Sequence, residues 1–304
     1  MRTSVCAEHL KRVWGQRPQP TQVHPGWAIV GIAATFLIAY GVEAATAFDL
    51  YFSSTASAAR ATASYSEVRS GFHQELALLV SATLVGGFVI LATMPRGLPL
   101  RDFHRNVPGA RGAAALSAAG VLVALLAGFL LVGVVLGITS MNTATPVGET
   151  LRQGIGFAVL AGAGEEIFVL ALPYAALRLV RLPARWGDGE HPRVLPLWVV
   201  VTVCVVLRMS YHVYYGAGAL ALLPWALVTV LIFHRWHLLF PLILTHIAYD
   251  TVCALNNHGV ITNSEELAVI ITATAVLLAV GVQRRRTGNL DTSHAQMVDQ
   301  APQT

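Results

Sequence analysis

The stretch Gly156–Leu177, GFAVLAGAGEEIFVLALPYAAL, decides the fold. A bilayer core near 30 Å needs about 20 apolar residues in a helix, and this run supplies them. Yet two adjacent carboxylates, Glu165 and Glu166, stand in its middle. An ionisable side chain at a helix centre costs about 2.5–3.5 kcal/mol on insertion scales, so such groups turn inward and meet one another. Two more apolar runs carry their counterparts. RMSYH joins Arg208 to His212, and His246 to Asp250 reads HIAYD.

Working outward, the whole chain has this character. It is 55% hydrophobic and 12% charged, with a mean hydropathy of +0.61, which places it far from soluble domains. About eight runs have the length of a span: 27–48, 75–95, 113–139, 151–178, 196–216, 219–234, 237–256 and 265–283. The expected fold is therefore an all-α polytopic bundle over residues 26–284. A polar, mobile leader (1–25) precedes it and a mobile tail (285–304) follows. Helices are the open-chain solution because each satisfies its own backbone polar groups. The first run follows a polar, basic leader and reads as a retained span, not a cleaved signal.

Charge reports topology. The net charge is +4, but its basic residues sit in the connections, which argues against a nucleic-acid partner. Arg96, Arg101, Arg105 and Arg111 alternate with connections holding only Arg60, Arg69 and Arg152. Arg178, Arg181, Arg185, Arg193, Arg235 and Arg284–Arg286 continue the alternation. That pattern predicts both termini in the cytoplasm of a multi-pass cell-membrane protein, and the high Ala and Arg content points to a bacterial cytoplasmic membrane. Cys6, Cys204 and Cys253 have no paired spacing and read as packed thiols.

The candidate site is Glu165, Glu166, His212, His246 and Asp250, with Arg208 in support. Neighbouring residues diverge by about 100° on an α-helix, so one glutamate should serve the site and the other support it. Gly162 and Gly164 thin the helix beside them and admit a neighbour or a substrate. Pro173 should kink the helix just beyond. His246 and Asp250 share a face, as do Arg208 and His212. Each pair also has a purely structural reading, a satisfied core histidine or an Arg–Glu clasp. A guanidinium cannot deprotonate, and Glu165 or Glu166 is its expected partner. Tyr211, Tyr214 and Tyr215 beside His212 read as an interfacial belt with hydroxyls available to the site, His234 and His237 as anchors at a membrane edge, and Glu43 and Glu149 as interfacial. There is no GxSxG and no HExxH motif. One geometrical tension stands out. His212 lies about 24 Å from the start of its run and His246 about 14 Å from the inner end of its own.

Glu-Glu in one span, His in the next, and His-x-x-x-Asp two spans later resemble the CPBP family. These are the CAAX prenyl endopeptidase and bacteriocin-processing intramembrane proteases, often called Abi proteins, and the likeness covers residues 150–255. The family's first motif, Glu-Glu-x-x-x-Arg, is matched at Glu165 and Glu166 but has Leu170 at the arginine. Its Phe-x-x-x-His motif is matched at His212 with Arg208 replacing the Phe, and its His-x-x-x-Asn/Asp motif is matched at His246 and Asp250. The arginine lost from one helix reappears on its neighbour. The resemblance implies endopeptidase action on a membrane-associated protein or peptide, with Glu165 as general base and His212 orienting water. His246 with Asp250 would stabilise the oxyanion. Since an ionised Asp250 would repel that charge, it is protonated, orients His246 or ligates a metal. Glu165, His212, His246 and Asp250 also make a zinc set with one open position, so a metal-assisted and a metal-free mechanism both stay open. The alternatives are a catalytically silent scaffold or immunity-type relative and, with no inverted repeat or broken helix pair to support it, a small proton-coupled transporter.

Overall fold

The computed structural model describes residues 25–52, 80, 110–135, 150–182 and 193–299. Among them the chain is helical apart from one two-residue antiparallel ladder. The elements are α1 (Pro25–Phe52), α2 (Ala110–Leu130), α3 (Leu151–Gly164), α4 (Leu172–Leu179), β1 (Arg181–Leu182), β2 (Arg193–Val194), α5 (Leu197–Ser210), α6 (Leu223–Trp236), α7 (Leu239–Asn257) and α8 (Asn263–Asp299). Five helices are long and apolar enough to cross a membrane: Arg111–Gly133, Leu151–Arg178, Gly218–Trp236, Leu239–Asn257 and Asn263–Arg284. Gly26–Gly41 and Leu197–Ser210 are shorter apolar helices. The expected span at 75–95 (Val80 apart) and the leader up to residue 24 lie outside the described residues. The last helix runs on to Asp299, past the boundary drawn at residue 284.

Local chemistry sets the ends. Thr150 caps α3 by accepting from the Gln153 N–H at 3.3 Å, while Gln153 Oε1 accepts from the Thr150 N–H at 3.0 Å, a reciprocal capping box. Thr262 and Glu265 repeat the device at the start of α8. Helix α6 ends on His237, whose backbone is left-handed (φ 52°) and whose N–H donates to Phe233 O at 2.7 Å. This turn reverses the chain into α7.

Two expected features take a different form. The run at 196–216 is not one helix: α5 stops at Ser210, Tyr211 and His212 turn, and a 3₁₀ segment (Val213–Leu222) leads into α6. Ser210 Oγ donates to Leu207 O at 2.7 Å, and Gly216 and Gly218 follow, so local hydrogen bonding and glycine outweigh apolar continuity. The kink expected at Pro173 is instead a π-helical stretch, Glu165–Ala171, joining α3 to α4. Proline has no N–H to give the carbonyl four residues back, and its ring crowds that carbonyl. Widening the preceding turn relieves both problems.

Packing relies on small residues. Helix α2 lies between α8 and α6, with Ala119, Ala124 and Ser117 buried along it. A Cβ at Gly128 would stand 1.8 Å from Ala221 O, and one at Gly281 would meet Leu116 Cγ at 2.6 Å. Such close approach is how helices associate where hydrocarbon offers no hydrophobic drive. Outward faces stay apolar: Leu267, Val269, Ile271 and Val276 of α8 are all exposed. Buried hydroxyls return their protons to carbonyls four residues back, Ser117 to Ala113 and Thr229 to Trp225 among them.

Candidate functional site

The π stretch, α5 and α7 bring five of the six expected residues into one buried cluster, and the sixth, His212, borders it. Arg208 Nη2 donates to Glu166 Oε1 at 2.8 Å, the pairing that charge count predicts. Its Nε lies 4.0 Å from Glu165 Oε2. His246 joins the same carboxylates, with Nδ1 3.1 Å from Glu166 Oε1 and Nε2 3.8 Å from Glu165 Oε2. Asp250 Oδ2 stands 3.3 Å from His246 Nε2, one turn along α7, in the place of an orienting carboxylate. Glu166 and Arg208 are 1% and 2% exposed, whereas the Asp250 side chain is 27% exposed and marks the accessible edge.

His212 reaches the cluster by another route. Its Nδ1 is 2.8 Å from Arg208 O, and a carbonyl can only accept, so Nδ1 carries a hydrogen, and in the neutral ring Nε2 keeps its lone pair. This contact also resolves the depth mismatch. The residue that shares Glu166 Oε1 with His246 is not His212 but Arg208, one turn earlier, about 17 Å along α5 against about 11 Å for His246 along α7. Side-chain reach spans the difference.

Gly162 makes the approach of α7 possible. A Cβ there would lie 2.7 Å from Ile247 N and 2.6 Å from Ile247 Cγ1, beside His246. The neighbour admitted by the thinned helix is thus α7. The π stretch matters equally. It holds more residues per turn than an α-helix, so consecutive side chains diverge less, and both glutamates turn inward. They still divide the work. Glu166 Oε1 is shared between Arg208 and His246, while Glu165 has no hydrogen bond from either. Leu170, at the position where the family motif has arginine, is 1% exposed and packs with Val121, Tyr174 and Leu177 in the apolar core.

Two aromatic residues belong to this site: Trp225, which the sequence alone does not single out for it, and Tyr211. Trp225 of α6 is 3% exposed. The Arg208 guanidinium lies 4.5 Å from its ring centroid, and its ring meets His246 edge-on at 4.8 Å and His212 at 6.2 Å. Tyr211, expected in an interfacial belt, is instead buried. It stacks on Tyr40 of α1 at 4.7 Å and lies against His212 at 4.4 Å. The available signal is position: a tryptophan near the start of an apolar run, next to Pro224, whose ring must face either lipid or the charges. The two expected edge histidines divide: His234 Nδ1 is bonded to Tyr174 OH at 2.6 Å, tying α6 to α4, and His237 caps the turn.

Among the described residues, the buried side-chain polar atoms without a hydrogen-bond partner are Glu165 Oε2, Glu166 Oε2, Arg208 Nη1, Tyr211 OH and Trp225 Nε1. All five belong to this cluster or its rim. Elsewhere among the described residues the buried side-chain polar atoms have hydrogen-bond partners, as in folded proteins generally. Here two acceptors and three donors have no hydrogen-bond partner within the protein. The zinc set fits less well as the side chains stand. Among the described residues no three His, Cys, Asp or Glu side chains are grouped to hold a metal ion. Both nitrogens of His246 face carboxylates, and Arg208 already brings a fixed cation between Glu165 and Glu166.

Comparison with protein-family models, with curated proteins and with solved structures finds no match to this chain.

Proposed function

We propose that this membrane protein is an intramembrane endopeptidase of the CPBP type, hydrolysing a peptide bond of a membrane-associated protein or peptide with a glutamate-activated water. The observation that carries the reading is the division of labour between the glutamates. Glu166 Oε1 is held by Arg208 and His246, while buried Glu165 accepts a hydrogen bond from neither, its Oε2 lying 4.0 Å from Arg208 Nε and 3.8 Å from His246 Nε2. A water seated on Glu165 gives its proton to that carboxylate as it attacks the carbonyl carbon, and His212 Nε2 accepts its other hydrogen bond. As the intermediate collapses, the C–N bond breaks and Glu165 returns the proton to the leaving amine. Asp250 holds the His246 ring, and Arg208 fixes both carboxylates. No step is routed through a metal. A zinc-assisted version requires His246 to release a carboxylate, and its mark is loss of cleavage on chelation with recovery on adding zinc. We further propose about eight spans in the cell membrane with both termini in the cytoplasm, a reading supported by the arginine alternation.

The test is cleavage of single-span reporter peptides by the protein reconstituted in vesicles. Glu165→Gln keeps size and packing and removes the base, and the expected loss is about 10²–10⁴-fold. Undiminished cleavage by the folded variant rules out the role. A second reading has its own observation. The Glu166–Arg208–His246 contacts alone make a clasp between helices, as a catalytically silent scaffold needs. That reading predicts no cleavage by the parent protein.

A further inference from the structure

The proposed hydrolysis leaves negative charge on the substrate carbonyl oxygen, and the residues matched to the family pattern do not supply donors for it. His212 Nδ1–H is committed to Arg208 O, so its Nε2 is an acceptor. His246 has carboxylates at both nitrogens, at 3.1 Å and 3.3 Å. Carboxylates only accept when ionised. The donors that remain open are the indole N–H of Trp225, Nη1 of Arg208 and the hydroxyl of Tyr211, all buried and all without a partner.

We propose that Trp225 is a catalytic residue: its indole N–H, together with Nη1 of Arg208, whose guanidinium lies 4.5 Å from the ring centroid, binds the carbonyl oxygen of the scissile peptide and holds the oxyanion. The proposal rests on the proteolytic reading of the same site. Three features favour the indole over the tyrosine. Trp225 comes from α6 and Glu165 from the stretch joining α3 to α4, so donor and base are supplied by different elements. Its ring touches Arg208, His212 and His246 together, which places it within the charged cluster. An indole N–H can only donate and does not titrate, so it neither competes for the proton on Glu165 nor loses its hydrogen at any working pH. Tyr211 instead stacks on Tyr40, with its hydroxyl toward Glu165, the base itself.

The chemistry balances without a further reactant. Water forms the new C–O bond and its proton goes to Glu165. The carbonyl π pair moves to oxygen, where Trp225 and Arg208 hold it. When that pair re-forms the carbonyl, the C–N bond breaks and the proton leaves Glu165 for the amine. Because a donor aimed at developing charge acts mainly in the transition state, its removal lowers kcat by about 10²–10³-fold and leaves KM nearly unchanged.

The experiment pairs two readouts. Trp225→Phe keeps a ring over the Arg208 guanidinium and deletes only the donor. With reporter peptides in vesicles, the variant is expected to lose kcat by the factor above, with KM and the pH profile of the parent. Independently, ¹⁵N-indole spectra in micelles, with the resonance assigned by its disappearance in Trp225→Phe, are expected to show cross-relaxation with water despite the burial of the ring. Cleavage by Trp225→Phe at the parent rate overturns the proposal. So does an indole N–H without water contact, whatever the activity, because it is then packed against a dry ring face. A parent that shows a hydrated indole but cleaves no reporter refutes the proteolytic reading and the catalytic role with it, leaving a hydrated donor site.

Discussion

Arg208→Met removes a cation that touches two buried carboxylates at once, with Nη2 2.8 Å from Glu166 and Nε 4.0 Å from Glu165. Methionine fills much of the volume, so the loss is electrostatic rather than a cavity. Two unit charges 4 Å apart at an effective dielectric of 20 interact by about 4 kcal/mol. Deleting one member of a buried pair costs about 3–5 kcal/mol, because the stranded charge keeps its desolvation penalty. Glu166 is 1% exposed and cannot turn to water. At roughly 2 °C per kcal/mol for a chain of this size, the melting temperature in detergent should fall by about 6–10 °C. The double variant Arg208→Met with Glu166→Gln should recover at least half of that fall, since it neutralises the stranded carboxylate. Returning an arginine to position 170 should not help, because Leu170 lies in the apolar core with Val121 and Leu177. Thermal unfolding of parent, single and double variants is the assay. A single variant as stable as the parent, or a double variant no better than the single, refutes the clasp.

Three further outcomes are expected. Gly162→Ala places a methyl 2.7 Å from Ile247 N and pushes α7 off the site, so stability should drop by about 1–3 kcal/mol. Gly133→Ala, with nothing within 4 Å, should be neutral or stabilising by up to about 1 kcal/mol, and equal thermal shifts for the two would remove the close-approach argument. In the connection between α6 and α7, burial, His234 and Arg178 hold the His237 imidazole below the ordinary histidine range. The unfolded chain then takes the proton more readily, so stability present above about pH 6.5 is lost as pH falls below it. His237→Asn, which tolerates the left-handed backbone, should flatten part of that slope in melts from pH 7 to 5, and an unchanged slope would exclude His237 as its source. Cysteines introduced at Arg235, in the last turn of α6, and at His258, just past the end of α7, should be labelled from opposite sides of intact cells. Labelling from one side contradicts the topology.

Much of this was legible in the chain, for a physical reason. Carboxylates, imidazoles and a guanidinium in apolar runs carry an insertion cost that few arrangements relieve, so Glu166, Arg208 and His246 had to meet. The apolar run drawn from residue 151 coincides with the start of α3 at Leu151. What stayed hidden depends on competition between neighbouring segments. The π stretch at Glu165–Ala171 arises because Pro173 removes a donor, and the sequence announces a disturbance there without its form. The end of α5 at Ser210 falls inside an apolar run, where hydropathy has no contrast to offer. Trp225 looks like any core or lipid-facing ring until the fold sets it against Arg208. An indole N–H becomes informative only when its surroundings leave it without a partner.

The central claim is that two adjacent glutamates do different work, and one side-by-side measurement tests it. Parent, Glu165→Gln and Glu166→Gln are purified, reconstituted in vesicles and compared for reporter-peptide cleavage by mass spectrometry and for melting temperature. The account predicts that Glu165→Gln melts near the parent and loses cleavage by about 10²–10⁴-fold. Glu166→Gln strands Arg208 and should melt several degrees lower. A Glu165→Gln protein that cleaves at the parent rate, or a Glu166→Gln protein as stable as the parent, contradicts the account.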